Sequence, residues 1–379
     1  MRTQVCDMLG IEFPILAFSH CRDVVAAVSK AGGFGVLGAT AFTPEQLEIE
    51  LTWIENEIGD KPYGVDVLIP VTYAGKDGVP SGKTLRDLIP DEHRKFVSHL
   101  MEKYEVPELP KDEVEAMQES GRVGMTIGGG VGALVDVSLN HPIRLIASAL
   151  GPPPPELVTE AHKRGILVAA LAGRKDHALR HQAIGVDIIV AQGYEAGGHT
   201  GEIATMVLVP EVVDAVAPTP VIAAGGIASG KQMAAAMALG AQGVWCGSVW
   251  LTTEEAETAP VVKDKFLAAT SSDTLRSRST TGKPARQLRS AWTDEWEDPD
   301  NPDPLPMPLQ PMLIGEAQAR IRRAAKPGNG AAQLSNYYVG QVVGSLNQVK
   351  STRQVVEEMV SEYVEVATKF ADALQALSG

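Results

Sequence analysis

The feature that most constrains this fold is a regular alternation of short apolar runs with helix-patterned segments along the first two thirds of the chain. The runs are continuous rather than alternating in polarity, which is typical of strands buried on both faces. They predict eight strands: Phe13–Ser19, Phe34–Ala39, Tyr63–Ile69, Arg144–Leu150, Ile166–Ala172, Asp187–Gly193, Val221–Gly226 and Gly243–Leu251. Eight such units predict an α/β fold, a (β/α)8 TIM barrel, with an open doubly wound sheet as the competing architecture.

Two segments interrupt or extend this alternation. Val71–His141 separates the third and fourth strands and is long enough for a lid or small subdomain, with a helix expected over Asp91–Tyr104. Asp298–Pro311 has six prolines in 14 residues, which predicts an extended arm. Ser351–Leu377 has apolar residues at helical spacing, which predicts a C-terminal helix packed on the barrel. We therefore expect a barrel domain over 1–297, with the insertion at about 71–141, and an extension over 298–379.

Charge and cysteine content exclude several classes of function. The formal net charge of −14 argues against non-specific binding to nucleic acid or anionic membranes, which requires a positive field. The three cysteines are far apart in sequence, so neither a disulfide framework nor a metal site is expected. No long apolar run or secretory leader pattern is visible, so we expect a cytoplasmic protein. A homodimer remains open.

Two glycine-bearing strand ends predict a phosphate site. The seventh predicted strand ends in Gly225-Gly226 before a helix, and the eighth carries Gly247-Ser248. Glycines let the main chain approach an anion closely, and a helix N-terminus offers unpaired N–H groups. Phosphate sites built from the last two strands recur in TIM barrels. The alternative is that these glycines only permit tight turns.

A third cluster leaves the sixth predicted strand and places one imidazole among glycines, in the sequence Gln192-Gly193-Tyr194-Glu195-Ala196-Gly197-Gly198-His199. A neutral histidine can accept a proton near neutral pH, which makes His199 the candidate catalytic base. Glu195 is expected to orient the loop. The alternative for His199 is a loop histidine without a catalytic role.

These clusters, together with Thr281-Gly282-Lys283-Pro284-Ala285-Arg286, resemble the nitronate monooxygenase family, formerly called 2-nitropropane dioxygenases. The flavin-dependent enoyl-acyl carrier protein reductases are similar as well. The resemblance covers most of the chain and implies non-covalent FMN. It also implies an oxidoreductase that oxidises a small alkyl nitronate with O2, with His199 as the base. By the same resemblance, FMN would contact Gln192, Gly198, Gly225, Gly226, Gly247 and Ser248.

The sequence departs from the family pattern near the first and third strands. His20 follows the first strand, where the family has a Pro-Met-Ala-Gly-like turn, and Asp66 stands where the family has an asparagine. An ionised carboxylate accepts hydrogen bonds but cannot donate them, so Asp66 must be protonated, paired or turned away if it lies beside the flavin. His20 is either a substrate-facing acid or base or a structural partner of Asp66.

Two other functions remain open from the sequence. One is a flavin enzyme that uses NAD(P)H to reduce an enoyl thioester or a polycyclic substrate, for which the long insertion gives room. The other is a flavin-free barrel that binds a phosphorylated ligand, either an isomerase or a binding module. Cys21 and Cys246 are not expected to act as nucleophiles, because no base is placed beside them by the sequence.

Overall fold

The computed structural model describes residues 1–69, 84–119 and 129–378. Its strands are β1 Ile15–Ser19, β2 Phe34–Gly38, β3 Tyr63–Leu68, β4 Leu145–Ala149, β5 Leu167–Ala172, β6 Ile188–Gln192, β7 Gly198–His199, β8 Val221–Ala224, β9 Val244–Cys246, β10 Thr274–Ser277 and β11 Ala285–Leu288. Its helices are α1 Gln4–Leu9, α2 Arg22–Lys30, α3 Pro44–Ile58, α4 Asp91–Lys103, α5 Lys111–Glu119, α6 Gly129–Asn140, α7 Pro155–Lys163, α8 Lys175–Ala183, α9 Thr205–Val216, α10 Gly230–Ala238, α11 Pro260–Ala268, α12 Ala291–Glu297, α13 Leu309–Ala324, α14 Gly330–Leu334 and α15 Thr352–Ser378.

Eight of these strands form a closed parallel barrel in the order β1-β2-β3-β4-β5-β6-β8-β9, which confirms the predicted TIM barrel and excludes the open sheet. Side chains alternate between two apolar layers. One layer fills the barrel interior and includes Leu16, Val36 and Ile222. The other lies between strands and helices and includes Val65 and Val67. The barrel strands are therefore buried on both faces, as their continuous apolar sequences predict.

The C-terminal helix completes the outer ring of the barrel. Helix α15 packs against α10 and α2, the helices that follow β8 and β1, and so occupies the place of the eighth barrel helix. Its first half buries Val355, Val356 and Met359. Its second half leaves Phe370 and Leu374 exposed. The predicted packing on the barrel exterior is confirmed for the first half of the helix.

Two predicted boundaries are wrong. The eighth strand, predicted to reach Leu251, ends at Cys246, and a 3-10 helix follows over Ser248–Thr252. Trp250 closes that turn, since its indole N–H donates to the carbonyl of Cys246 at 2.7 Å. The arm predicted over Asp298–Pro311 also ends early, because α13 begins at Leu309. Pro311 is tolerated there since the first turn of a helix has no main-chain acceptor for its N–H groups.

The insertion between β3 and β4 falls into parts with different packing. Residues 70–83 and 120–128 of the predicted Val71–His141 insertion lie outside the described residues. Helix α6 packs against α3 and β3 and is the barrel helix of the third unit. Helix α4 instead joins a separate apolar cluster with α12, α13 and α14, in which Phe96 meets Trp296 edge to face at 4.8 Å between ring centroids. The insertion and the C-terminal extension thus share one core.

A small antiparallel sheet stands at the carboxyl end of the barrel strands, in the order β10-β11-β7. The sequence reading did not predict it. Its shortest strand contains His199, which pairs with Ala285 of β11. This sheet fixes the main chain of the candidate base. Among the described helices, none is long and apolar enough to cross a membrane.

Candidate active site

The loops after β6, β8 and β9 meet on one rim of the barrel. These strands are neighbours in the barrel, so their carboxyl ends lie side by side. Gly340, from the C-terminal extension, lies where the loops meet. A Cβ atom at Gly340 would stand 2.6 Å from the carbonyl oxygen of Glu195 and 3.2 Å from the hydroxyl of Ser248. Only glycine leaves room for this contact, and its N–H donates to Ser248 Oγ at 2.8 Å.

Glu195 and Thr205 join the loop after β6 to the end of β8. The carboxylate of Glu195 accepts from the main-chain N–H of Thr205 at 3.0 Å, which caps the first turn of α9. The Thr205 hydroxyl lies 2.9 Å from both Glu195 Oε2 and the carbonyl oxygen of Gly225. Gly225 has a left-handed backbone with φ +94°, and an added Cβ would lie 2.9 Å from the carbonyl of Gly193. Glu195 therefore orients the loop, as the sequence predicts.

Arg286 holds the same loop from β11. The guanidinium is 1% exposed and lies 4.3 Å from the centre of the Tyr194 ring. It donates two hydrogen bonds of 3.1 Å to the carbonyl of Tyr194 and a third of 3.1 Å to the hydroxyl of Thr274. A buried cation is costly unless its donors are satisfied. The aromatic face and the carbonyl therefore stabilise Arg286 where it can position the His199 loop.

Among the described residues, the imidazole of His199 has a hydrogen-bond partner on one nitrogen only. Its Nε2 lies 2.8 Å from Oγ1 of Thr281, in the turn between β10 and β11. That hydroxyl oxygen also accepts from the N–H of Lys283 at 3.3 Å and lies 3.2 Å from the Lys283 carbonyl. Nδ1 has no hydrogen-bond partner among the described residues, and the ring of Tyr338 lies 6.4 Å away between centroids.

Burial and charge keep His199 neutral. Burial lowers the pKa of His199, and the nearby positive charge of Lys283 lowers it further, to about 4. The imidazole is therefore unprotonated near neutral pH and has one lone pair available. The glycine-rich context and the strand-end position predicted a candidate base at this place, and the geometry supplies a free nitrogen.

The predicted phosphate site has free main-chain donors. The N–H groups of Gly226, Gly247 and Ser248 make no hydrogen bond to other described residues. Gly198 and Gly247 border open space, since an added Cβ would meet no atom within 4 Å at either position. Unpaired N–H groups at adjacent strand ends suit a phosphate, and the open space suits a flat ring above them.

The helix after β8 offers fewer free N–H groups to the predicted phosphate site than the sequence predicts. The N–H of Gly230, at the start of α10, donates to the carboxylate of Glu362 at 2.9 Å. The Ser229 side chain caps the N–H of Gln232. The expected free N–H groups of this helix are therefore largely occupied by the chain itself. The unpaired donors come from the strand-end glycines and Ser248 instead.

His20 and Asp66 lie at the carboxyl ends of β1 and β3, and β1 is paired with β9 in the closed barrel. The Nδ1–H of His20 donates to the carbonyl of Gly38 at 3.0 Å. No hydrogen bond joins His20 to Asp66, so the structural pairing considered from the sequence is wrong. Burial lowers the pKa of His20, so this imidazole is neutral too. Asp66 is 4% exposed, and burial raises its pKa well above the ordinary value.

The cysteines have no catalytic geometry. Burial raises the pKa of Cys246 to about 12, and it also raises the pKa of Cys21. A thiol must lose its proton to act as a nucleophile, so both are inert near neutral pH. Cys21 lies near the carboxylates of Asp23 and Glu257. The expectation that neither cysteine acts as a nucleophile agrees with this geometry.

An open cleft of about 630 Å³ lies between the small sheet and the proline-rich arm. It is lined by Glu202, Arg276, Arg278, Pro284, Trp296, Glu297, Asp298, Pro299, Asn301, Asp303 and Pro304. None of the predicted site residues lines it. Its lining carries both charges, and Arg276 is directed to the carbonyl of Thr200 at 3.1 Å. The predicted site residues lie instead at the barrel mouth, where the strand ends gather.

Sequence reasoning gave no role to several residues that shape the site. Thr281, Lys283 and Arg286 all lie in the Thr281–Arg286 segment, which resembles the nitronate monooxygenase family. That segment is the signal that could have found them. Tyr338 and the Thr205 hydroxyl carried no sequence signal, since both become neighbours of the site only through the fold.

Comparison with known proteins defines the class first. The solved structure of nitroalkane oxidase from Streptomyces ansochromogenes is 26% identical, covers 97% of this chain and 99% of its own, and has a TM-score of 0.79. FabK from Thermotoga maritima is 28% identical, covers 98% of this chain and 99% of its own, and has a TM-score of 0.73. With the barrel and its strand-end site, these likenesses define a flavin-dependent oxidoreductase of the TIM-barrel class.

The chain belongs to the nitronate monooxygenase family, whose model matches residues 2–362. A Mycobacterium tuberculosis protein that carries the name of a monooxygenase is 63% identical over 99% of this chain and 100% of its own length. A probable nitronate monooxygenase of Staphylococcus saprophyticus is 29% identical over 97% of this chain and 99% of its own length. The resemblance found in the sequence is confirmed, and the family favours a flavin enzyme over the flavin-free barrel.

Proposed function

We propose that this chain is an FMN-dependent enzyme that oxidises a small alkyl nitronate, or the nitroalkane from which it forms, with O2, and that His199 is its base. The observation that carries the proposal is the neutral imidazole of His199, whose Nδ1 has no hydrogen-bond partner in the described part of the chain. The N–H groups of Gly226, Gly247 and Ser248, likewise unpaired there, lie at the neighbouring strand ends. The likeness to nitroalkane oxidase supports the substrate class.

The residues present fit FMN. The N–H groups of Gly226, Gly247 and Ser248 would hold the phosphate, with the Ser248 hydroxyl free to donate because its oxygen accepts from Gly340. Gln192, Gly198, Gly225 and Asp66 would border the ring. When bound, FMN supplies the electron-accepting chemistry, while the protein orients the substrate and moves the proton.

Thr281 selects the tautomer that a base requires. If its hydroxyl donates to the carbonyl of Lys283, its oxygen accepts the Nε2–H of His199. That arrangement leaves the lone pair on Nδ1, the nitrogen without a partner. Nδ1 can then accept the acidic C–H proton next to a nitro group, and the resulting imidazolium keeps its Nε2–H bond to Thr281. Thr281 is a positioning residue in this proposal.

A second candidate function is that of an NAD(P)H-dependent reductase. The likeness to FabK favours it, because the FabK structure covers as much of this chain as the nitroalkane oxidase structure does. Steady-state turnover separates the two. Purified, FMN-loaded protein should consume O2 with a nitronate in the absence of NAD(P)H. Rapid flavin reduction by NADH or NADPH, with no O2 uptake on nitronates, would replace the proposal with the reductase. A colourless protein that does not take up FMN would contradict both.

A further inference from the structure

Asp66 lies inside the barrel at its carboxyl end. Its neighbours on β3, Val65 and Val67, belong to the layer between strands and helices, so the alternation of the strand turns Asp66 toward the interior. The residues in register with it on the adjacent strands are Gly38 and Ala147. Gly38 has no side chain and Ala147 has only a methyl group. Asp66 therefore places a polar group on this part of the interior wall.

Within residues 1–69, 84–119 and 129–378, the carboxyl group of Asp66 has no hydrogen-bond partner. It makes no hydrogen bond or ion pair with any described residue, although it is 4% exposed. His20, the titratable group on the same rim, donates to the carbonyl of Gly38 instead. A buried carboxylate without a cation or donors is far costlier than a buried carboxylic acid. Desolvation accordingly raises the pKa of Asp66 well above its ordinary value, which favours the protonated form.

We propose that Asp66 is a neutral hydrogen-bond donor of the barrel mouth, whose carboxylic O–H donates to an acceptor atom of the bound flavin. This inference rests on the proposed FMN site and adds to it. A protonated carboxyl has one O–H donor, and no described residue accepts a hydrogen bond from Asp66. A ligand with ring nitrogen and carbonyl acceptors would satisfy this donor, which is otherwise left unpaired at a cost.

Flavin affinity of three variants tests the donor. Asp66→Asn keeps a donor of the same shape without a titrating group. Asp66→Val removes the donor at similar size. Asp60→Asn, an exposed position, is the matched control. FMN dissociation constants are measured by fluorescence titration of the apoprotein near neutral pH. Asp66→Asn should stay within about threefold of the wild type, and Asp66→Val should bind about tenfold more weakly. Asp60→Asn should match the wild type.

The proton itself has an independent readout in the wild-type protein without flavin. The infrared difference between the wild type and Asp66→Asn should contain the carbonyl band of a protonated carboxyl group near neutral pH. Absence of that band overturns the inference, even if Asp66→Val does not fold. Wild-type affinity in folded Asp66→Val also overturns it, as does an Asp66→Asn variant as weak as Asp66→Val. Failure of the wild type to bind FMN would instead overturn the proposed function.

Discussion

The barrel mouth carries two neutral histidines, and the surrounding structure supports them differently. His199 lies on a short strand of the small sheet, with Thr281 on its Nε2 and with Arg286 holding its loop. His20 follows a barrel strand and has one hydrogen bond, to the carbonyl of Gly38. Sites that must hold a reactive geometry are supported by a surrounding shell of contacts. A glycine-rich loop can therefore be well fixed, because Thr281 and Arg286 hold the His199 loop from outside it.

Removing each imidazole in turn tests the difference between His199 and His20 most directly. His199→Ala should lower kcat for a neutral nitroalkane by about 10² to 10⁴-fold, the usual contribution of a general base, while FMN stays bound. A pre-formed nitronate needs no proton removal, so its loss should be much smaller. Steady-state O2 uptake measures both substrates, and the flavin absorbance checks the cofactor.

His20→Gln is the matched variant at the end of β1. Gln keeps a side-chain N–H that can donate to the Gly38 carbonyl, so the variant tests the imidazole chemistry rather than the fold. We expect less than about a fivefold change in kcat, within the value of one hydrogen bond. An equal fall in kcat for His20→Gln and His199→Ala would contradict the assignment of His199, rather than His20, as the base.

An effect smaller than that of His199→Ala is expected from Thr281, the residue that supports His199. Thr281→Val removes the acceptor for Nε2–H, so the imidazole can adopt either tautomer. The loss of about one hydrogen bond, about 1 kcal/mol, predicts roughly a fivefold fall in kcat with little change in KM. Thr281→Ser keeps the hydroxyl and should restore the rate. A Thr281→Val enzyme with full activity would leave His199 as a possible base but would refute the role of Thr281.

The barrel could be predicted from the sequence more fully than the site. Continuous apolar runs report burial on both faces, and that property is local to each strand. Glycine-flanked His199 was also visible, because a tight loop at a strand end is a local pattern. The support of His199 was not visible, since Thr281 is 82 residues away and reaches it only through the pairing of β7 with β11.

The site also shows where a local rule fails. The glycines after β8 predicted free N–H groups on the helix that follows, yet Glu362 occupies the first of them from a helix 132 residues away in sequence. The arm was predicted to be extended to Pro311 because prolines break helices. The chain instead uses that proline in a first turn, where it breaks no hydrogen bond. Both errors arise from partners or positions that only the tertiary structure defines.

The smallest expected effect is a shift in the pH profile of kcat/KM when the charge of Lys283 is removed. A base works only when it is unprotonated, so kcat/KM should fall as the pH drops through the His199 pKa of about 4. Burial is the main cause of that low pKa, and Lys283 is the second. Lys283→Met removes the positive charge and should move the acid limb of the pH profile to higher pH, with little change above neutral pH. Lys283→Arg keeps the charge and should keep the limb in place. The pH profile of kcat/KM checks both variants, and a limb that moves equally in the two would show that shape, not charge, keeps His199 neutral.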